Sequence, residues 1–343
     1  MTSRHRLKPR TANREESIAD ALLAWYRRGH RDLPWRRTRD PFRIWVSEIM
    51  LQQTRAQAVI PYFERFLARF PDVESLARAD EEEVLTLWSG LGYYSRARNL
   101  RGAAIVMRAA GGFPRDYAAI RQLPGVGEYT ASAIASNAFG LPHAVLDGNV
   151  LRVVARVEND FSDIASPATR ERFRSLVQKW LDQRYPGEFN QALMELGAMV
   201  CLPRNPSCLV CPLAACCRAR EQATVGGLPV KRPKAEPVRL TGTLLVVRRR
   251  GRVLLRRIEG GARRMAGFWE LPTPEHLPHA GVQTAIGEFR HSITYHRYRF
   301  TVASVEKTPA PDGAGFRWFQ PLEIHRIPLS TTARKALKIA GIL

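Results

Sequence analysis

From residue 15 to about residue 220, apolar side chains recur three and four positions apart, the period of helices that bury one face. "IADALLAWYRR" opens the series. "IWVSEIMLQQTRAQAVIPYFERF" continues it, within helices of ordinary length. "DEEEVLTLWSGLG" places Asp80 as N-cap with Glu83 three positions on, a capping box, and closes at glycine. "RDYAAIRQL" and "EYTASAIASNAFG" flank the turn "LPGVG", so residues 116–138 form a helix–hairpin–helix, and "LDGNVLRVVARV" and "RERFRSLVQKWLDQ" follow. The stretch 221–237, with "VGGLPVKRPKAEPV", is rich in Gly, Pro and Lys and reads as a linker. Beyond it the pattern changes to strands. "RLTGTLLVVRRRGRVLLRRI" predicts a hairpin about an Arg/Gly turn, and "HRYRFTVASVE" and "GFRWFQP" predict further strands. The expected chain is therefore multidomain: a basic arm (1–14), an all-α domain (15–220), the linker, and an α+β domain (238–343).

Charge sharpens this picture. The 343 residues carry a formal net charge of +21 and a sequence pI of about 10.7, which favours a polyanionic partner, most often nucleic acid. Residues 238–343 hold 18 Lys and Arg against 7 Asp and Glu, so the excess is shared by both halves. No apolar run is long enough to span a bilayer, and the basic start "MTSRHRLKPRTANR" lacks the apolar core of a secretory signal. A reducing, intracellular compartment is expected, without a membrane partner.

All five cysteines lie between Cys201 and Cys217. In a reducing compartment they read as metal ligands rather than disulfides. Cys201, Cys208, Cys211 and Cys217 have the spacing C-x6-C-x2-C-x5-C, which suits zinc or a [4Fe–4S] cluster. A single C-x2-C in one compact loop favours iron–sulfur. Cys216 could replace Cys217 or be a spare buried thiol. Pinning a loop that has little core is as good a role for the cluster as electron transfer.

The turn at Leu123, Gly125, Val126 and Gly127 offers backbone N–H groups to a phosphate at a helix N-terminus. Alone it could be a plain corner between helices; with the charge and the cysteine loop it reads as a grip on DNA backbone. Glu48 lies beside the apolar stripe of Trp45, Val46, Ile49 and Met50, so partial burial and a raised pKa are expected.

The hairpin, "VLDGNV" and the cysteine spacing together resemble the helix–hairpin–helix DNA glycosylases with an iron–sulfur loop, the endonuclease III superfamily, over residues 15–220. The resemblance implies a catalytic aspartate at Asp147, which also suits an N-cap. Members that cut the backbone carry lysine at position 129; Tyr129 cannot form a Schiff base, so base removal without lysine-driven strand cleavage is expected. "WVSEIMLQQT" is similar to the adenine-excising branch, the MutY family, whose substrate is adenine opposite 8-oxoguanine or guanine in double-stranded DNA. That likeness implies Glu48 as the acid for adenine N7 and Asp147 as the anion that stabilises the sugar cation. It further implies Asn149 as the orienter of Asp147, Glu195 as a second contact to the base, and Tyr129 and Arg36 as pocket lining. Gln53, Leu91 and Tyr93 match its intercalating positions.

"GFWELP" at 267–272 and the strand pattern resemble the Nudix-like domain of the same family, without the glutamate-rich hydrolase box, so no pyrophosphatase activity is expected. Aligned on "FRH", the lesion-reading Phe-Ser-His loop of that family becomes Ile293-Thr294-Tyr295; Thr294 keeps a hydroxyl and Tyr295 offers a stacking surface. A monomer in the cytoplasm of a bacterial cell, at its nucleoid, is expected. Two competing readings are a pyrimidine-lesion glycosylase and AP lyase, disfavoured by Tyr129 and the second domain, and a non-catalytic DNA-binding protein, disfavoured by the presence of both acids.

Overall fold

The computed structural model describes residues 14–232, 236–259, 265–281, 283–293, 295–306 and 315–343. Residues 1–13 of the basic arm and Thr294 lie outside the described residues. The helices run in order: α1 (Arg14–Arg28), α2 (Pro41–Leu51), α3 (Ala56–Arg69), α4 (Val73–Arg78), α5 (Glu81–Trp88), α6 (Ser95–Ala109), α7 (Tyr117–Gln122), α8 (Glu128–Phe139), α9 (Gly148–Glu158), α10 (Pro167–Trp180), α11 (Pro186–Met199) and α12 (Arg218–Glu221). Then come β1 (Val238–Arg249), β2 (Arg252–Arg257), β3 (Trp269–Glu270), β4 (Gln283–Ile293), β5 (His296–Val305) and β6 (Phe316–Phe319), with α13 (Pro321–Ile324) and α14 (Thr331–Ile339) closing the chain. Among the described residues no helix is long and apolar enough to cross a membrane.

The chain divides into two compact units, Met1–Ile49 with Phe113–Pro233, and Met50–Gly112 with Lys234–Leu343. In the first, α9 is buried along most of its length and packs against α10, α11 and α12. Val150, Leu151, Val153 and Val154 are all buried there, together with Phe173, Phe189 and Leu196. The helices of this unit start where their local chemistry directs. Asp116 and Asp147 cap α7 and α9 through their carboxylates, and Pro167 and Pro186 open α10 and α11, where no N–H partner is needed.

The second unit joins α3–α6 to a mixed sheet of order β3-β2-β1-β5-β4, with β6 paired to β2. β1 and β5 are parallel; β4 and β5 form an antiparallel hairpin. Leu244 and Val246 face one core, roofed by α14. Leu245 and Val247, on the other face of the strand, meet Leu277 in a second core. The helices adhere to this sheet domain through the turn after α5. Tyr94 is buried against Phe268 with ring centroids 4.0 Å apart, and Ser89 donates to the Leu329 carbonyl at 3.2 Å. That contact is why Met50–Gly112, expected to belong with the helices around it in sequence, clusters with the C-terminal sheet.

Three local features depart from the sequence pattern. The helical period over residues 44–66 is carried by two helices, broken between Leu51 and Ala56, where Gln53 takes a left-handed φ of 57°. Asp80 is the N-cap of α5, but no side-chain cap bond forms, and Glu83 turns outward to pair with Arg69 at 2.5 Å. Strand β4 has no counterpart in the sequence pattern: Gly287 and a run of polar residues obscure its alternation, and it is held by its pairing with β5.

Candidate active site

In the first unit three acids, Glu48, Asp147 and Glu195, are drawn into the interior. Glu48 is on the last turns of α2 and is only 5% exposed. Its Oε2 has no hydrogen-bond partner among the described residues, a costly arrangement for a buried oxygen. Burial pushes the Glu48 pKa up to about 7, helped by the charge of Asp147 and opposed by the Tyr129 hydroxyl and Arg36. Tyr129, near the start of α8, donates to Met194 Sδ at 3.3 Å. Its own pKa is driven well above the ordinary tyrosine value by burial and then by the charges of Glu48 and Asp147, so it stays a neutral phenol.

Asp147 accepts from the Val150 N–H at 2.7 Å on one oxygen and from Asn149 Nδ2 at 3.0 Å on the other. It is thus both helix cap and candidate site residue. Burial raises its pKa, and these hydrogen bonds restrain the rise. The segment leading to it is fixed by Asn190 on α11, a residue that is fully buried. Asn190 receives the Val145 N–H at 3.1 Å and donates to the His143 carbonyl at 2.8 Å. Nothing in the sequence singles out Asn190; only the three-dimensional path of residues 143–145 makes it necessary.

Glu195 differs from the surface ion pair that a helix glutamate usually makes. It is 1% exposed and receives Arg31 Nη2 at 2.6 Å and Arg36 Nη2 at 2.8 Å. Burial pushes its pKa up, but the hydrogen bonds from Arg31 and Arg36 outweigh this and hold it at about 2. Arg31 also gives Glu195 its backbone N–H at 3.0 Å. Arg31 is a site residue that sequence reading missed; its place in "RRGHRDLPW" carries no periodic or motif signal.

A hydrogen-bonded chain runs from Asp147 toward the cysteines. Asn149 accepts from Arg152 Nη2 at 2.9 Å, the same nitrogen donates to the Gly197 carbonyl at 2.7 Å, and Arg152 Nε donates to the Cys201 carbonyl at 2.8 Å. α11 comes so close to Asn149 that a Cβ added at Gly197 would lie 2.7 Å from the Asn149 Cβ. Gly197 is required there by contact, not by backbone conformation.

Cys201, Cys208, Cys211 and Cys217 line one cavity together with Arg156, Leu196 and Arg220; Cys216 does not. Arg156 is buried, reaches Cys201 Sγ at 3.2 Å and ties the Leu202 carbonyl at 2.7 Å. Burial pushes the Cys211 thiol up to about 11, and the neighbouring thiols push the same way. Among the described residues no three His, Cys, Asp or Glu side chains converge on a single-ion site.

The hairpin between α7 and α8 is a tight turn. Gly125 takes φ 76°, and Gly127 starts α8 with no side-chain cap. Val126 N–H is used by the Leu123 carbonyl, and the Leu123 and Val126 side chains are buried. What this turn presents outward is backbone.

The remaining candidates belong to the second unit. Gln53 and Tyr93 are exposed and both left-handed, with φ of 57° and 50°, while Leu91 is buried. Arg96, missed in the sequence, is buried beneath both turns; it donates to the Met50 and Gln52 carbonyls at 3.1 and 2.7 Å and to the Gly92 carbonyl at 3.1 Å. Its guanidinium lies 5.5 Å from the Trp88 ring and 5.6 Å from the Tyr93 ring. Tyr295 is exposed at the end of the β4–β5 hairpin, tilted over His296, and Ile293 pairs with His296.

Comparison with known proteins bears on this geometry. Residues 46–179 match the HhH-GPD superfamily base excision DNA repair protein model. The chain is 47% identical to human adenine DNA glycosylase over 213 residues, covering 59% of this chain and 39% of that protein. It is 37% identical to the Arabidopsis thaliana adenine DNA glycosylase over 303 residues, 76% of this chain and 48% of that one. The match to the adenine DNA glycosylase of a Buchnera aphidicola strain is 40% over 201 residues, 58% of this chain and 57% of that one. The chain thus spans about half the length of the curated relatives it matches. Among solved structures, a thermostable thymine-DNA glycosylase superposes with a TM-score of 0.56 at 29% identity, over 61% of this chain and 97% of that one. An endonuclease III–DNA complex, at 23% identity and TM-score 0.51, shares the fold of the helical part.

Proposed function

We propose that this chain, whose residues 46–179 are a base-excision repair domain of the HhH-GPD superfamily, is a monofunctional adenine DNA glycosylase acting on adenine mispaired with 8-oxoguanine or guanine in duplex DNA. The observation that carries the reading is the pair of buried carboxyls, Glu48 and Asp147, both raised in pKa and differing in their partners. Glu48 has an unpartnered oxygen and exists about half protonated near pH 7. Asp147 is oriented by two donors as an acceptor.

The base must leave the duplex stack before it can reach buried groups. Glu48 then gives its proton to adenine N7. The C1′–N9 bond breaks, its electron pair stays with adenine, and the sugar becomes an oxocarbenium-like cation. Asp147, held as a carboxylate by Asn149 and the Val150 N–H, stabilises that cation. Water adds to C1′ and loses a proton to the carboxylate that Glu48 has become. Adenine and an abasic site are the products. Glu195 remains ionised between Arg31 and Arg36 and serves as an acceptor for the exocyclic amine of the base. Tyr129 carries no amine, so no covalent sugar adduct forms. Gln53, Leu91 and Tyr93 fill the gap in the stack, and the backbone of Leu123–Gly127 holds phosphate.

The four cysteines that surround one cavity fit a [4Fe–4S] cluster, in which each thiolate takes a separate iron, better than one tetrahedral ion. Cys201, Cys208, Cys211 and Cys217 would hold it, with Cys216 a spare. Its chemistry here is to pin the loop, and through Cys201 and Arg152 that loop steadies Asn149. The C-terminal sheet is read as a Nudix-like domain that recognises 8-oxoguanine through Thr294 and Tyr295.

The test is a duplex with adenine opposite 8-oxoguanine, assayed with and without hot alkali, beside duplexes carrying G:T or an oxidised pyrimidine. Cleavage at adenine that requires alkali supports the proposal. A nick without alkali would reassign the chain as a lyase, and excision of thymine alone would align it with the thymine-DNA glycosylase whose fold it shares.

A further inference from the structure

One part of the sheet is not accounted for by the cores or by the lesion-reading tip. Residues 238–243 of β1, 287–293 of β4 and 296–301 of β5 form a three-stranded arm beyond the fully buried positions, with Phe289 and Phe300 packed in part against the core under α14. The cross-strand register assigns each side chain to a face. One face carries Leu240, Tyr298 and Phe289, with Phe289, Tyr298 and Phe300 in stacked contact and Lys335 of α14 over Phe289. The other face has no apolar residue. Arg239 lies across from Arg297, and Arg290 across from Arg299. The other positions of that face are threonine or serine, except for Glu288, which pairs with Arg299 at 2.7 Å. Arg239, Arg290 and Arg297 are exposed.

Like charges directly opposite one another in a sheet are destabilising, so two arginine pairs side by side are not what stability alone selects. Neighbouring strands are about 4.8 Å apart and alternate residues on one strand about 6.7 Å apart. The arginines therefore form a flat grid of cations whose long spacing is close to that of successive phosphates along a nucleic-acid strand. Serine and threonine hydroxyls between them are ordinary phosphate donors. The same two strands, β4 and β5, end in the hairpin tip that carries Tyr295.

We propose that this arginine face binds the phosphate backbone of duplex DNA, next to the base read at the hairpin tip. The inference rests on the protein being a duplex-DNA enzyme, but its test does not depend on base removal. The grip is sequence-independent, so it acts on undamaged DNA as well and holds the sheet against the duplex during the search for a mispair.

The experiment uses the full chain and a fluorescent duplex without mispair, with Kd measured from 50 to 200 mM salt. Each lost phosphate contact reduces the slope of log Kd against log salt by about 0.9. The triple variant Arg239→Gln, Arg290→Gln, Arg297→Gln is expected to lower that slope by about 2.7, so the wild type should lose about 40-fold more affinity than the variant across this range. The matching lysine triple keeps the charge and is expected to keep the slope. A control that removes the same charge at the exposed Arg65, Arg78 and Arg108 is expected to leave it near wild type. An unchanged slope in the glutamine triple overturns the proposal. So does an equal loss in the control, which would make the effect one of net charge, or an equal loss in the lysine triple, which would make it one of fold. If wild type binds DNA but leaves adenine in place, the enzymatic reading fails while the slopes still decide the face.

Discussion

Replacing Glu48 by glutamine should abolish excision and stabilise the protein at the same time, and the stabilisation should grow with pH. The carboxyl moves from an ordinary pKa of 4.5 to about 7 on folding, because burial disfavours its charge. Below pH 4.5 it is protonated in both states and imposes no penalty. Between 4.5 and 7 the folded state keeps a proton that the unfolded state releases, so stability falls as pH rises. Each pH unit crossed in that window costs about 1.4 kcal/mol, so above 7 the loss levels off at about 3 kcal/mol. Glutamine cannot ionise and escapes this loss. Any pH-independent cost of the amide cancels when variant and wild type are compared at two pH values. From pH 5.5 to 8.5 the stability gap should widen by about 2 kcal/mol in favour of Glu48→Gln, or roughly 4–8 °C in melting temperature. Differential scanning fluorimetry of both proteins measures it, and single-turnover excision of the same samples should fall at least about 100-fold. A gap that does not change with pH would show that Glu48 ionises in the folded protein as it does in the open chain, and the acid assignment would go with it.

Excision in the wild type should fall about tenfold per pH unit above 7, as protonated Glu48 is titrated away, and its acid limb, set by Asp147, should lie above the ordinary aspartate range; a rate that is flat from pH 7 to 9 contradicts this. Tyr129→Lys should yield an enzyme–DNA adduct on borohydride reduction, since an amine then faces Glu48 and Asp147; absence of adduct at every pH would mean that position 129 does not reach the sugar. Cys217→Ser should lose the visible absorbance of an iron–sulfur chromophore and Cys216→Ser should keep it, because only Cys217 lines the cavity; the opposite result reassigns the fourth ligand. Gly197→Ala and Gly187→Ala should each destabilise by about 1–3 kcal/mol, since each added Cβ would meet a neighbour at 2.7 Å, but only Gly197→Ala displaces Asn149 and should slow excision beyond its effect on stability. Equal excision rates in these two variants would separate Asn149 from catalysis.

The elements with strong periodicity were legible in the sequence: α1, α8–α10 and the β1–β2 hairpin fall where the pattern puts them. Asp147 was legible as a cap because short acids before a helix have few other uses. What stayed hidden depends on distant partners. The break at Gln53 is invisible because "MLQQTRAQ" keeps a helical period, whereas the turn it forms is tied by Arg96, 44 residues beyond Gln52. Arg31 acts on Glu195 and Asn190 on the segment before Asp147, each across more than forty residues, and no local pattern encodes that; Arg36 came only from the family resemblance. β4 exists through pairing alone.

The contrast between Glu48 and Glu195 gives the reason that a sequence cannot assign roles to acids. Both sit on helices, both are 5% exposed or less, and burial alone would leave both neutral. Glu195 receives two guanidinium groups and a backbone N–H, so it is held ionised with a pKa of about 2. Glu48 has one oxygen unpartnered and Asp147 as a neighbour, so it is held near half protonation. The division comes from where Arg31 and Arg36 point. Because α11 carries Met194 against Tyr129, Glu195 between the arginines and Gly197 against Asn149, one helix sets the surroundings of all three acids. A displacement of α11 would therefore be felt at Glu48 and at Asp147 together, and the two pKa values should move as a pair in any variant that shifts this helix.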